Sequence, residues 1–326
     1  MKILIPGGSG QIGTILARHL HAAGHTVTVL SRNPSPAPWQ SLPWDGLNPG
    51  PWVSDLNASD AVIHLSGRSV NCRYTPANRR SIIDSRVLPT LLLGRVIAAS
   101  PTPPPLWLNA STSTFYRNSL DLPQDEFTGQ RGDLPSERDP HEPETWAFSI
   151  DVAQRWETAL AATPTPSTRK IRLRTSMTMS PDPGGVFSVL SRLTRLGLGG
   201  TQGSGKQFVS WIHETDFCRI VDLLLLHPEL TDKTSGIINM TAPTPIPNRD
   251  FMRDLRRAWH MPLGIPAPSP LIELGTRLMR TESELVLKSR RAVPTLLLKH
   301  GYTFTYRTWP EAATDLVTRS NSKHSL

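Results

Sequence analysis

Three glycines near the start of the chain, Gly7, Gly10 and Gly13, stand at G-x-x-G-x-x-G spacing. They separate an apolar strand, Lys2-Ile-Leu-Ile-Pro6, from an amphipathic stretch carrying Ile12, Ile15, Leu16 and Leu20. The chemistry this spacing serves is phosphate binding. The first glycine permits a tight bend, the second lets backbone N–H groups approach a pyrophosphate, and the third lets helix and strand pack closely. With Gln11 and Ile12 between them, they form the expected cofactor turn, and the helix that follows aims its positive end at the phosphates. Glycine spacing alone is weak evidence. The order strand, turn, helix, second strand (Thr26–Leu30) makes it strong. An NAD site usually places an acid at the end of that second strand. Here the strand ends Leu30-Ser31-Arg32-Asn33, with no acid. Arg32 can form paired hydrogen bonds to a 2′-phosphate and Ser31 can add a third, so NADP(H) is expected. Otherwise Arg32 simply faces solvent.

These residues need a scaffold. Residues 1–175 alternate strands and helices, the pattern of an α/β, Rossmann-like doubly wound parallel sheet. Asp60–Leu65 reads as a buried strand, and Leu65, Ser66 and Gly67 should pass close to the adenosine half. Asp45, after Trp44, could bond the adenine edge. A helix is expected over 77–99 and a strand over 106–110, running into Ser111-Thr-Ser-Thr114. A helix over 146–162 and a strand over 170–174 follow. Residues 176–326 read as a smaller C-terminal substrate lobe with a helical piece at 187–196, and part of 206–245 returns to the core. The proline-rich pieces at 34–51 and 262–270 read as ordered loops.

The 326 residues suit one large unit or two coupled lobes. The formal charge of +8, from 35 basic and 27 acidic residues, is scattered and carries no dense basic run. Nucleic acid is therefore not expected as a partner. Cys72 and Cys218 fit neither a disulfide framework nor a metal site, so no metal and a reducing, cytoplasmic setting are expected. No leader is apparent, and apolar runs such as 221–226 are too short for a bilayer. A small-molecule substrate is the expected partner, with a homodimer left open.

With these motifs placed, the chain resembles the atypical short-chain dehydrogenase/reductases grouped as epimerase family proteins, the NAD-dependent epimerase/dehydratase type. Arg80-Ser-Ile-Ile-Asp-Ser-Arg-Val87 resembles the family's D-S-R-V helix, and Asn109–Tyr116 its strand end. Leu196–Gly200, Gly203–Gln207 and Ser210-Trp-Ile-His213 resemble its L-G-L-G-G and G-S-G-R-Q…S-W-I-H block. Val293-Pro294 through Gly301–Phe304 resembles its C-terminal signature. Pro6, His64, Pro89 and Arg117 depart from the family pattern and mark a divergent member. The relatives' wider class uses a tyrosine with a lysine four residues on, one helical turn apart. None of Tyr74, Tyr116, Tyr302 and Tyr306 has such a lysine. With Glu157 placed on the trailing glutamate, the two positions fall on Ser149 and Ala153.

By resemblance, Ser111 takes the substrate-positioning place, unless it caps a turn. Tyr116 could supply a phenol or form a pocket wall. His213 could carry a proton or be a buried structural histidine. Thr112, Ser113, Lys206 and Trp211 are expected at the substrate pocket, with Lys206 contacting an anionic substrate or the neighbouring loop, and Trp211 packing or lining. Asp84 and Arg86 suggest an internal ion pair, or an Arg86 contact anchoring the cofactor loop. The implied activity is NADP(H)-dependent reduction of a carbonyl, imine or activated alkene without the usual Tyr/Lys pair. The alternative is an NADP(H)-binding regulator that has lost catalysis.

Overall fold

The computed structural model describes residues 1–278 and 281–324. The first half follows the strand–helix alternation: β1 (Lys2–Pro6), α1 (Gln11–Ala22), β2 (Thr26–Ser31), β3 (Gln40–Pro43), α2 (Val53–Asn57), β4 (Ala61–His64), α3 (Pro76–Ala99), β5 (Leu106–Thr112), α4 (Glu144–Ala161) and β6 (Arg169–Thr175). Then come β7 (Met177–Met179), α5 (Val186–Leu193), β8 (Phe208–Val209), β9 (Trp211–His213), α6 (Glu214–Leu226), β10 (Ile237–Met240), β11 (Ile246–Pro247) and α7 (Asn248–Ala258). Four helices finish the chain: α8 (Ser269–Leu278), α9 (Glu284–Leu287), α10 (Thr295–Lys299) and α11 (Trp309–His324). None of the described helices is long and apolar enough to cross a membrane.

Seven strands form one sheet in the order β10-β6-β5-β4-β1-β2-β3, every pair parallel. Neighbouring residues on a strand face opposite sides, so each face needs its own cover. Ile3 and Ile5 of β1 join a core with α1 and α6, while Leu4 joins another with Trp52, Trp107 and the α3 residues Leu92 and Leu93. Both faces are therefore apolar, and the fold is Rossmann-like. The C-terminal half also supplies this sheet: β10 pairs with β6, and Leu296 and Leu297 of α10 enter the α1 core. A separate core holds Trp211, Phe251, Trp309 and Leu316.

Two expected segments differ. The proline-rich stretch at 34–51 contains the edge strand β3, whose Pro43 pairs with Ser31. An edge position tolerates a residue without an N–H. The helical piece expected over 187–196 ends as α5 at Leu193 and continues as a wider π turn over 194–198, broken by Gly197 at φ +78°. Thr75 starts α3 by accepting from the Asn78 N–H, with Pro76 at the first helical position, where a missing N–H costs nothing.

Candidate active site

Strand order reverses between β1 and β4, and a cleft of about 920 Å³ opens there at the carboxyl ends of the strands. Gly7, Gly10, Ser31, Arg32 and Asp45 line one side, and Leu65, Ser66 and Gly67 another. Gly7 has φ +76°, and a Cβ there would stand 2.5 Å from Ser66 Oγ. A Cβ on Gly13 would meet the Gly8 carbonyl at 2.4 Å, so the first turn of α1 lies directly on the loop. Gly10 is the N-cap of α1, without a capping side chain, and no acid occupies the first turn. That leaves the positive end of the helix open toward the cleft.

Two features leave polar groups of this cleft open to a ligand. Ser66 Oγ is buried and has no hydrogen-bond partner among the described residues. Arg32, and Arg80 on α3, line the cleft with no hydrogen bond or ion pair among the described residues. Ser31 Oγ donates to Ser9 Oγ at 2.8 Å, which fixes the strand end beside Arg32. Asp45 is turned inward on its own loop: its carboxylate accepts from the Leu47 and Asn48 N–H groups and from Asn48 Nδ2. The Asn48 amide and these N–H groups hold its pKa below the usual range.

Gln11 and Arg86 serve this cleft from outside its wall. Gln11 Nε2 donates to the Asp182 carbonyl at 3.0 Å, so its amide pins the loop after β7 and does not line the cleft. Ile12 packs against the α1 core. Arg86 forms no ion pair with Asp84, which lines the cleft on its own. The Arg86 guanidinium lies 3.1 Å from where a Gly67 Cβ would be, donates to the Ile82 carbonyl at 3.0 Å and sits over the Trp156 ring. Burial pushes its pKa down to about 10.

The hydroxyls at the end of β5 are mostly committed. Ser111 Oγ donates to Glu157 Oε1 at 2.6 Å. The same carboxylate takes two 2.8 Å bonds from Arg174, with both side chains only 6 % exposed. Ser111 can thus accept a hydrogen bond but gives up its own proton only by breaking that contact. Tyr116 is buried, its hydroxyl 2.9 Å from Asn239 Oδ1 and 3.1 Å from the Asp125 carbonyl. Burial raises its pKa to about 12, so the phenol stays protonated, with its O–H directed at these two acceptors. Thr112 Oγ1 accepts from the Thr114 N–H at 3.1 Å, and Ser113 is buried.

Three residues from the second lobe lie elsewhere. His213 is fully buried, caps α6 by accepting from the Thr215 N–H, and donates to Asp315 at 3.0 Å. Burial outweighs Asp315 and lowers its pKa to about 4, so it stays neutral and structural instead of carrying protons. Trp211 is a core residue 5.3 Å from Trp309, with its Nε1 on the Thr244 carbonyl, and is no pocket wall. Lys206 is exposed on the 201–207 turn, away from the cleft lining. Among the described residues no group of His, Cys, Asp and Glu could hold a metal.

At the position expected for the tyrosine, Ser149 on α4 donates to Glu284 Oε2. Ala153, at the lysine position, is fully buried. Glu284 also takes bonds from Tyr74 Oη at 3.5 Å and Arg290 Nη2 at 3.2 Å. Sequence spacing offers no sign of this cluster, because its members come from the loop before α3, from α4, and from the 281–292 segment.

A family model described as the NAD dependent epimerase/dehydratase family matches residues 3–240, and one for a domain of unknown function (DUF1731) matches residues 267–316. The chain is 33% identical over 310 residues to the Bos taurus epimerase family protein SDR39U1, covering 94% of this chain and 96% of that protein. It is 30% identical over 321 residues to the Mycobacterium bovis epimerase family protein Mb2239, covering 97% of this chain and 98% of that one. The crystal structure of human SDR39U1 (isoform2) with NADPH superposes with a TM-score of 0.81 at 27% identity, covering 98% of this chain and 99% of that one.

Proposed function

The chain belongs to the NAD dependent epimerase/dehydratase family, and from that premise we propose that it is an NADP(H)-dependent oxidoreductase that reduces a carbonyl, imine or activated alkene of a small molecule. The observation that carries the choice of cofactor is Arg32, which directly follows β2 with no hydrogen bond or ion pair among the described residues and lines the cleft beside Gly7 and Gly10. The orphaned Ser66 Oγ, the uncapped α1 terminus and the absent Cβ at Gly7 fit a dinucleotide's ribose and phosphates. The human relative solved with NADPH supports the same reading. Gly7, Gly10 and Gly13 would shape the phosphate turn, Arg32 and Ser31 would hold the 2′-phosphate, and Leu65 to Gly67 would flank the adenosine half.

Bound there, the reduced nicotinamide supplies the hydride. The chain's own residues orient the substrate at the end of β5. Ser111, locked by Glu157 and Arg174, presents lone pairs in a fixed direction, and Thr112 stands beside it. Because Ser149 and Ala153 replace the usual Tyr/Lys pair, an NADP(H)-binding regulator is the second reading.

Titration of purified protein with NADPH and NADH, followed by nicotinamide fluorescence, tests the cofactor. Wild type should prefer NADPH, and Arg32→Ala should remove about 1.5–3 kcal/mol of that preference, the worth of a charge-assisted contact. Equal affinities for the two cofactors would refute the role of Arg32. NADPH oxidation across a carbonyl and imine panel separates reductase from regulator.

A further inference from the structure

We propose that Lys288 is the proton donor of this site, delivering its ammonium proton to the oxygen of a carbonyl substrate at the end of β5. The inference rests on the reductase reading above. A carbonyl that accepts a hydride must also gain a proton, and the two groups expected to carry one are engaged, His213 between the Thr215 N–H and Asp315 and Tyr116 on Asn239. Ser111 spends its proton on Glu157.

Lys288 reaches the backbone just past the end of β5. Its side chain is 2 % exposed, and among the described residues its only hydrogen bond is a long one, 3.4 Å, from Nζ to the Thr114 carbonyl just past β5. Thr114 is itself only partly buried and lies two residues past Thr112, the last residue of β5. Three donors share one weak acceptor. The nearby carboxylate does not neutralise it by contact: Glu284, fully buried one turn earlier, is engaged by Arg290, Ser149 and Tyr74. The charged groups facing Lys288 are Glu284 and Arg290 from its own segment and Glu142 from the segment before α4. A buried, under-bonded ammonium costs stability that a methionine of similar length would not. Burial, opposed by Glu284, brings its pKa down to about 8, suited to a general acid near neutral pH.

The step balances without further reagents. Hydride from the reduced dinucleotide forms the new C–H bond, and the dinucleotide leaves oxidised. The carbonyl π pair takes a proton from Nζ, an N–H bond breaks, and neutral lysine regains its proton from water after the alcohol leaves.

The experiment uses NADPH-loaded wild type, Lys288→Met and Lys288→Arg with a panel of aldehydes and ketones. Wild-type turnover should be flat below pH 8 and fall above it. Lys288→Met should bind NADPH like wild type yet turn over at least about 100-fold more slowly. Lys288→Arg, whose guanidinium keeps its proton, should be equally slow. In melts without substrate, Lys288→Met should be the more stable protein at pH 7, and the gap should narrow as pH rises from 8 toward 10. Wild-type turnover or an unchanged pH profile in Lys288→Met overturns the proposal, as does loss of NADPH binding in that variant or a gap that ignores pH. Wild type that binds NADPH but reduces nothing in the panel overturns the reductase reading itself.

Discussion

Replacing Glu157 by methionine would strand Arg174 in the interior. The pair is bidentate, with two 2.8 Å bonds, and both partners are almost completely buried. Removing one side leaves an uncompensated guanidinium, which typically costs about 3–5 kcal/mol. Ser111 loses its acceptor as well, adding about 1 kcal/mol. At roughly 2 °C per kcal/mol for a chain of this size, Tm should fall by about 8–12 °C. The double variant Glu157→Met/Arg174→Met removes both charges together and should recover most of the loss. It should still trail wild type by about 1–2 kcal/mol, because Arg174 also lies 3.6 Å from the Phe115 ring centroid and 4.9 Å from that of Tyr116. Urea unfolding followed by tryptophan fluorescence measures all three proteins. A single variant within 1 kcal/mol of wild type, or a double variant no better than the single, would refute the claim that a desolvated ion pair holds Ser111.

Two further outcomes can be checked on the same samples. His64 and His213 are fully buried, and burial lowers both pKa values from 6.5 to about 4. The unfolded chain therefore takes up protons first as pH falls, so stability is complete above 6.5 and drains away toward 4. Between pH 7 and pH 5 each ring should cost about 2 kcal/mol, and His64→Asn should halve the combined loss; equal losses in variant and wild type would remove His64 from the account. Gly13→Ala puts a Cβ 2.4 Å from the Gly8 carbonyl and 2.5 Å from Gly8 Cα, both rigid backbone. The loop must shift, so NADPH affinity should drop at least about tenfold and stability by about 1–3 kcal/mol. Titration and melting would show otherwise if the turn tolerates the methyl.

The sheet and its glycine turn were legible because local pattern carries them: glycine spacing, an apolar strand, and a helix start that prolines or caps mark. The place of Arg32 beside the cleft follows from the same pattern, since it comes directly after β2. Strand β3 was hidden by Pro43 and the prolines around it, since an edge strand needs fewer N–H groups than the pattern assumes. The state of Ser111 was not legible either, because its partner Glu157 lies 46 residues away and acts through Arg174 from a third element. Trp211 and His213 sit in a distinctive motif, yet that motif builds a core and a helix cap instead of a pocket. Lys206 is exposed on a surface turn that the glycines around it shape. The cluster around Glu284 needed the fold itself to bring distant segments together.

The seventh strand has a consequence for how the chain is made. β6 ends at Thr175, and its outer partner β10 begins at Ile237. At roughly 5–20 residues per second, several seconds of synthesis separate them. Throughout that interval Ile171 and Leu173 belong to an unpaired sheet edge, a ready template for another nascent chain. The parallel pairing that closes it also spans a long stretch of sequence, which slows the search for the partner. Yield in a cell should therefore depend on what shields β6 during elongation, and substitutions over 237–240 should lower the amount of folded protein more than their effect on the finished molecule would suggest.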